Sequence, residues 1–125
     1  MEIARFSDGS FGWGIHEPGH GLVFANSSLP FDAPAAAPLS AHGDYAPLLL
    51  VGDGSSVPSA LGRYLTNIEP GYTAAIGPVR GVYNHGWLIG DERAISLLAQ
   101  SEIDAVLEVA PRTPAAGEQA LPSPE

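Results

Sequence analysis

The chain has no cysteine and no lysine, a single methionine, and no apolar run approaching the roughly 20 residues that a membrane-spanning helix needs. Each gap removes a class of explanation. Without cysteine there is no disulfide framework, no thiolate zinc site and no cysteine nucleophile. Without lysine there is no P-loop of the Gly-Lys-Ser/Thr kind to meet a nucleotide phosphate. Positive charge rests on five arginines against 14 acids, a formal net charge of −9. A field of that sign repels nucleic acid and anionic lipid, so neither is an expected partner. The opening Met1-Glu2-Ile3-Ala4-Arg5-Phe6 lacks the basic-then-apolar pattern of a signal peptide. The sequence thus reads either as a cytoplasmic protein or as a piece of something exported.

What is present is a core-forming composition cut by many breakers. Hydrophobic residues make up 45% of 125 positions, enough for one small domain. Fifteen glycines and 12 prolines demand long loops beside that core.

The breakers divide the chain into an N-terminal aromatic and Gly-rich segment (1–20), an α/β domain (21–110) and a tail (111–125) without periodicity that reads as disordered. The first segment reads as an ordered loop or hairpin anchored by Phe6, Phe11 and Trp13. Alternatively, Ile3 to Phe6 is the last turn of a helix. Leu22-Val23-Phe24-Ala25 is a short continuous apolar run, the pattern of a strand buried on both faces. Asp32 is placed to cap a short helix, with Pro34 in the first turn and Pro38 expected to kink or end it within about two turns. Ala46 to Val51 predicts a second strand.

A loop, Gly52-Asp53-Gly54-Ser55-Ser56, leads to a helix starting near Pro58. Its Val57, Leu61, Tyr64, Leu65 and Ile68 fall on one face. Glu69-Pro70-Gly71 stops it, and a connection rich in Gly and Pro runs from Tyr72 to Gly81. Val82 to Ile89 predicts a third strand, interrupted at Asn84-His85-Gly86. A last helix carries Ile95, Leu98, Ala99, Ile103, Val106 and Leu107 on one face, capped by Ser96 or Asp91. Strand-helix alternation of this kind predicts a small parallel sheet of three or four strands with flanking helices. Such a sheet has open edges and one thinly covered face, and partners would stabilise it.

Taken in order, Val23-Phe24-Ala25-Asn26, Phe31-Asp32-Ala33, Ala35 to Leu39, Ala46-Pro47-Leu48-Leu49-Leu50, Val57-Pro58 with Tyr64-Leu65, Val82-Tyr83, Trp87-Leu88-Ile89-Gly90 and Ala94-Ile95-Ser96 resemble the cell wall-binding repeat 2 family. The resemblance runs from Gly21 to Val109. It departs where Pro34 replaces the usual Leu, where Asp91 replaces a second Gly, and in the longer stretch from Gly71 to Gly86. It implies a Toprim-like α/β unit, normally one of three repeats packed together, that holds bacterial surface proteins non-covalently to anionic wall polymers. Only one repeat is visible here, so the chain reads as one unit of a larger arrangement.

Several constellations could carry chemistry. His16-Glu17-Pro18-Gly19-His20 matches H-E-x-x-H formally, but Pro18 and Gly19 oppose the helix that would place both imidazoles on one zinc. Asp32, Asp53 and Asp91 each follow a strand, where an acidic cluster could hold a hard cation, although loop capping accounts for each. Trp13 and Trp87 could stack on sugars or pack in the core. His42 and His85 have no evident nucleophile partner.

The expected ligand-contacting residues are Arg63, Arg80 and Arg93, which can hold phosphate or carboxylate, with Ser55, Ser56 and Ser96 at helix starts. These three arginines could instead be solvated or paired with acids such as Glu69 and Asp91. The expected function is a non-catalytic, extracellular, wall-associated anchor with no cofactor, no metal and no catalytic residue. Its partners would be wall polymer and sister repeats or further copies. The alternatives are an assembly module that binds no polymer and a small metal-dependent enzyme built on the strand-end acids.

Overall fold

A computed structural model of the chain describes residues 1–41, 47–74, 77–78 and 81–112. In chain order its elements are α1 (Glu2–Arg5), β1 (Gly21–Ala25), α2 (Asp32–Ala41), β2 (Leu48–Leu50), α3 (Ser59–Asn67), β3 (Gly71–Tyr72), β4 (His85–Ile89), α4 (Leu97–Leu107) and β5 (Ala110–Pro111). β1, β2 and β4 form a three-stranded parallel sheet in the order β2-β1-β4. Among the described residues no helix is long and apolar enough to cross a membrane.

The sheet is organised around β1. Leu22, Val23, Phe24 and Ala25 are all fully buried, as a strand covered on both faces requires. Side chains alternate across the sheet, so β1 divides its residues between two cores. Leu22 and Phe24 join Leu61, Tyr64, Leu65, Ile68, Ile95, Ala99 and Ile103 on the side of α3 and α4. Val23 and Ala25 join Ala36 on the other side, with Ala33, Leu39, Leu48 and Ile89 packed around them. One face thus carries two helices, and the other is covered chiefly by the short α2.

The strand expected over 46–51 is only three residues long by its ladder, but its pairing reaches further. The Val23 N–H donates to the Pro47 carbonyl at 3.4 Å, and the Val51 N–H to the Ala25 carbonyl at 3.0 Å. Ala46 lies outside the described residues. The third strand starts at His85 and runs through Gly86 without the expected interruption, because the His85 N–H donates to the His20 carbonyl at 2.9 Å and opens the ladder there.

Two expectations for α2 are corrected. Asp32 is already the first helical residue, where its charge suits the helix N-terminus, and the Phe31 carbonyl accepts the Ala35 N–H at 3.0 Å. Pro38 does not end the helix, which continues to Ala41. Pro38 and Pro34 both lie on its exposed side, so the Pro34 carbonyl that loses its helical donor remains on a solvated face.

In α3 the predicted face is the observed one, with Leu61, Tyr64 and Leu65 buried and Ile68 just beyond. α4 departs in part. Ile95 precedes the helix, and Leu98 is 59% exposed although the spacing predicts it on the buried face. Its neighbour Leu97 is 71% exposed. Among the described residues the narrow sheet does not extend far enough to cover this first turn.

The N-terminal segment combines both of its expected forms. A single helical turn, α1, leads into a tight antiparallel bridge between Ser7 and Gly12. Its anchors differ from expectation. Phe6 and Phe11 are exposed, whereas Ala4 and Ile15 are buried in the main core with Trp13 packed against it. The Ile15 N–H donates to the Ala4 carbonyl at 2.9 Å and ties the two together.

A second, two-stranded sheet pairs β3 with β5 in parallel. It continues at Arg112, whose N–H donates to the Tyr72 carbonyl at 2.7 Å and whose guanidinium donates to the Glu69 carbonyl. Residues 113–125 of the tail lie outside the described residues.

Candidate functional site

Because the three main strands are parallel, the loops that follow them gather at one edge of the sheet. That edge is where ligands of open α/β sheets usually bind. Here it consists of Asn26-Ser27-Ser28 after β1, Gly52 to Ser56 after β2, and Gly90 to Ser96 after β4.

A buried asparagine ties the three loops. The Asn26 side chain is 3% exposed. Its Nδ2 donates to the carbonyls of Asp53 at 2.8 Å and Ala94 at 2.7 Å, and its Oδ1 accepts the Ser28 N–H at 2.7 Å. The Ser27 N–H and hydroxyl both donate to the Gly52 carbonyl at 2.9 Å. Gly54 has φ near +79°, and a Cβ there would fall 1.9 Å from the Ala94 carbonyl oxygen, so only glycine lets the second and third loops meet.

Ser55 and Ser96 are brought into direct contact. The Ser96 hydroxyl donates to the Ser55 carbonyl at 2.7 Å and accepts the Ala99 N–H at 3.2 Å, so Ser96 is the N-cap of α4. The Ser96 N–H donates to the Gly54 carbonyl at 2.8 Å. Ser56 is exposed on the same rim but does not open α3, which starts at Ser59 behind Pro58 with no side-chain cap. The N–H that approaches this helix, on Val57, already donates to a carboxylate: Glu102 Oε2 of α4 accepts it at 2.7 Å. An internal anion therefore occupies one of the donors expected to serve a ligand.

Two acids of the rim, Asp53 and Asp91, are spent on their own loops. Asp53 Oδ1 accepts the Ser55 hydroxyl at 2.7 Å and the Ser55 N–H at 3.0 Å. The Ser55 hydroxyl, then its N–H, hold the carboxyl below its ordinary value. Asp91 Oδ1 accepts the backbone N–H groups of Arg93 at 3.0 Å and Ala94 at 3.3 Å. Asp32 lies at the same edge: its Oδ2 is 3.3 Å from where a Cβ on Gly90 would stand. Among the described residues no three His, Asp or Glu side chains are grouped to hold a metal ion.

The arginines are dispersed. Arg93 is exposed on the rim beside Asp91. Arg63 is exposed on α3 and lines a different crevice, with Met1, Glu2 and Arg5. Arg80 lies outside the described residues, as does His42. The structure thus brings Ser55, Ser56, Ser96 and Arg93 to one rim and leaves Arg63 off it.

The opposite end of the sheet is held by a second buried asparagine. Asn84 is 6% exposed. It donates through Nδ2 to the Ile68 carbonyl at 2.8 Å and accepts the N–H groups of Gly19 at 2.9 Å and His20 at 3.1 Å. The His16 to His20 stretch is therefore a loop, with Gly19 at φ near +106°, and its two histidines do not share a helical face. An open groove of about 1340 Å³ lies near it, bordered by Phe6, Phe11, Trp13, His20 and Ser40. Asn26, Asn84 and Glu102 carry roles that their sequence positions do not mark. The only signal for the asparagines was a polar residue directly abutting a strand.

No family model, no curated protein and no solved structure matches this chain.

Proposed function

We propose that the chain is a non-catalytic attachment module, similar to one cell wall-binding repeat 2 unit, that helps hold a bacterial surface protein to wall polymer. The ligand-facing part would be the carboxyl-end rim, with Arg93 and Ser56 as its donors, since the hydroxyl and N–H groups of Ser55 and Ser96 already donate within the loops. The observation that carries the reading is the state of this rim. Its loops are locked to one another by backbone and asparagine hydrogen bonds, and the carboxylates of Asp53 and Asp91 accept from their own loops. A carboxyl held below its ordinary pKa, as Asp53 is, makes a poor general acid near neutral pH. A rigid, hydroxyl-lined edge with one exposed guanidinium favours holding a ligand over transforming one. Arg63 enters this reading only as a secondary contact with polymer that extends beyond the rim.

The net charge of −9 opposes a polyanion, so polymer bearing phosphate or carboxylate would need bridging divalent cations or donors from sister units. Retention on purified wall material, at low salt and with divalent cations, tests the reading. Arg93→Ala should weaken that retention.

A second reading, assembly without polymer contact, draws support from the apolar surface around β4 and the start of α4, where Leu88, Leu97 and Leu98 are exposed.

A further inference from the structure

Among the described residues β4 is an edge strand, paired on one side only, with β1. The register shows which of its backbone groups that pairing uses. The His85 N–H donates to the His20 carbonyl, so the His85 backbone turns toward β1. Backbone direction alternates along a strand, so the N–H and C=O groups of Trp87 and Ile89 turn the same way. Those of Gly86 and Leu88 turn to the open edge, and both residues are exposed. Four of the five residues of β4 are exposed, whereas four of the five of β1 are buried.

Natural edges are usually blunted by a proline, a charge or a bulge. The edge-facing pair of β4 is a glycine and a leucine, and its register with β1 is unbroken from His85 to Ile89. Leu88 also continues a side-chain surface. It stands opposite Phe24, on the sheet face that α3 and α4 cover. There, with Leu97, Ile103 and Leu107, it borders a groove of about 560 Å³.

The charges around this groove select its occupant. Asp104 and Glu108 border it on the C-terminal half of α4, whose Leu107 lies against Gly86 near the start of β4. Arg93 stands at the other end, in the loop between β4 and α4. A second copy turned antiparallel sets β4 against β4 about a two-fold axis. That approach separates the two acidic pairs and directs each toward the end where the other copy carries Arg93. It is also self-complementary, because the same donors, acceptors and leucines face each other from both sides.

We propose that β4 pairs antiparallel with β4 of a second copy, joining two three-stranded sheets into one of six strands, with Leu88 and Leu97 covered at the seam. The pairing stands independently of the wall-anchor reading. It places the two rims at opposite ends of the joined sheet. Repulsion between two chains of net charge −9 works against the contact, so screening salt should strengthen it.

Analytical ultracentrifugation of the full chain, with site-resolved amide hydrogen exchange at the same concentrations, tests it. The mass should rise with concentration from 12.9 kDa toward twice that value, and further in added salt. The Gly86 and Leu88 amides should exchange freely in dilute solution and slow about tenfold or more as the dimer fills. The His85 amide, already bonded to His20, should not change. Leu88→Lys should abolish the dimer. Leu88→Pro removes a donor that faces away from β1, so the existing ladder keeps its bonds, and it should abolish the dimer as well. A folded Leu88→Lys or Leu88→Pro chain that dimerises as before overturns the proposal. So does a monomer at every concentration, or a dimer in which both amides still exchange freely. Protection of both amides in a dilute monomer overturns it too, since another segment of the same chain would then cover the edge.

Discussion

Asn26 and Asn84 do for this small sheet what a larger protein does with more strands. Each is buried, each uses both ends of its amide, and together they fasten the loops at the two edges of the sheet. Asn26→Ala would leave the Asp53 and Ala94 carbonyls without their donor. The expected cost is about 2–3 kcal/mol, measurable by urea denaturation, because an unsatisfied buried group costs about 1–3 kcal/mol. Two ionisable residues illustrate the opposite signs of pH dependence. The Asp53 carboxyl is held low by the Ser55 hydroxyl and N–H. Its contribution is present above the unfolded carboxylate range and is lost as pH falls through the lowered value. Tyr64 is the converse case. Burial pushes its phenol from 10.0 up to about 12, against the opposing charge of Arg5. Its contribution is present below pH 10 and is lost as pH rises toward 12. Tyr64→Phe should flatten the alkaline limb of a denaturation series between those pH values, while an unchanged limb would contradict this assignment. None of these roles was legible from sequence. An asparagine beside a strand looks like any turn residue until the carbonyls it serves are brought to it from 27 and 68 residues away.

Elements were most legible where one helix or strand face carried the whole signal. The apolar run of β1 and the spacing of α3 predicted their burial because each packs against neighbours on every side the pattern requires. α4 shows where that logic stops. Periodicity puts Leu98 on the buried face, yet among the described residues the sheet ends at β4 and both Leu98 and its neighbour Leu97 stay exposed. A pattern states what could be buried; the width of the sheet decides what is. The same argument explains α2, where an exposed face tolerates Pro38. The uncovered first turn of α4 has a consequence in solution. If it seats against another copy, Leu97→Glu with Leu98→Glu should lower the mass seen by light scattering at high protein concentration. A monomer in both proteins would contradict assembly through this surface. The β3 and β5 pair was illegible for another reason: two-residue strands have no period, and theirs depends on Arg112 reaching the Glu69 and Tyr72 carbonyls.

At the scale of the molecule, a short acidic chain is built as a three-stranded parallel sheet with one well-covered face, one thinly covered face and a rim of locked loops. Two of its surfaces are open to solvent, the rim of loops and the apolar patch of Leu88, Leu97 and Leu98, and the proposed reading assigns polymer to the first. The rim offers few positive donors, since Arg63 lies elsewhere and Glu102 already takes the Val57 N–H. The candidate residues were legible as types, but their grouping was not. Ser55 and Ser96 are 41 positions apart and meet only through the fold. The central claim is attachment without catalysis, and retention on purified bacterial wall material at low salt with divalent cations measures it most directly. The account predicts that the chain is retained well above an unrelated protein of equal acidity, and that Arg93→Ala lowers the retained fraction severalfold while the fold is unchanged. Retention no greater than that of the acidic control would contradict it.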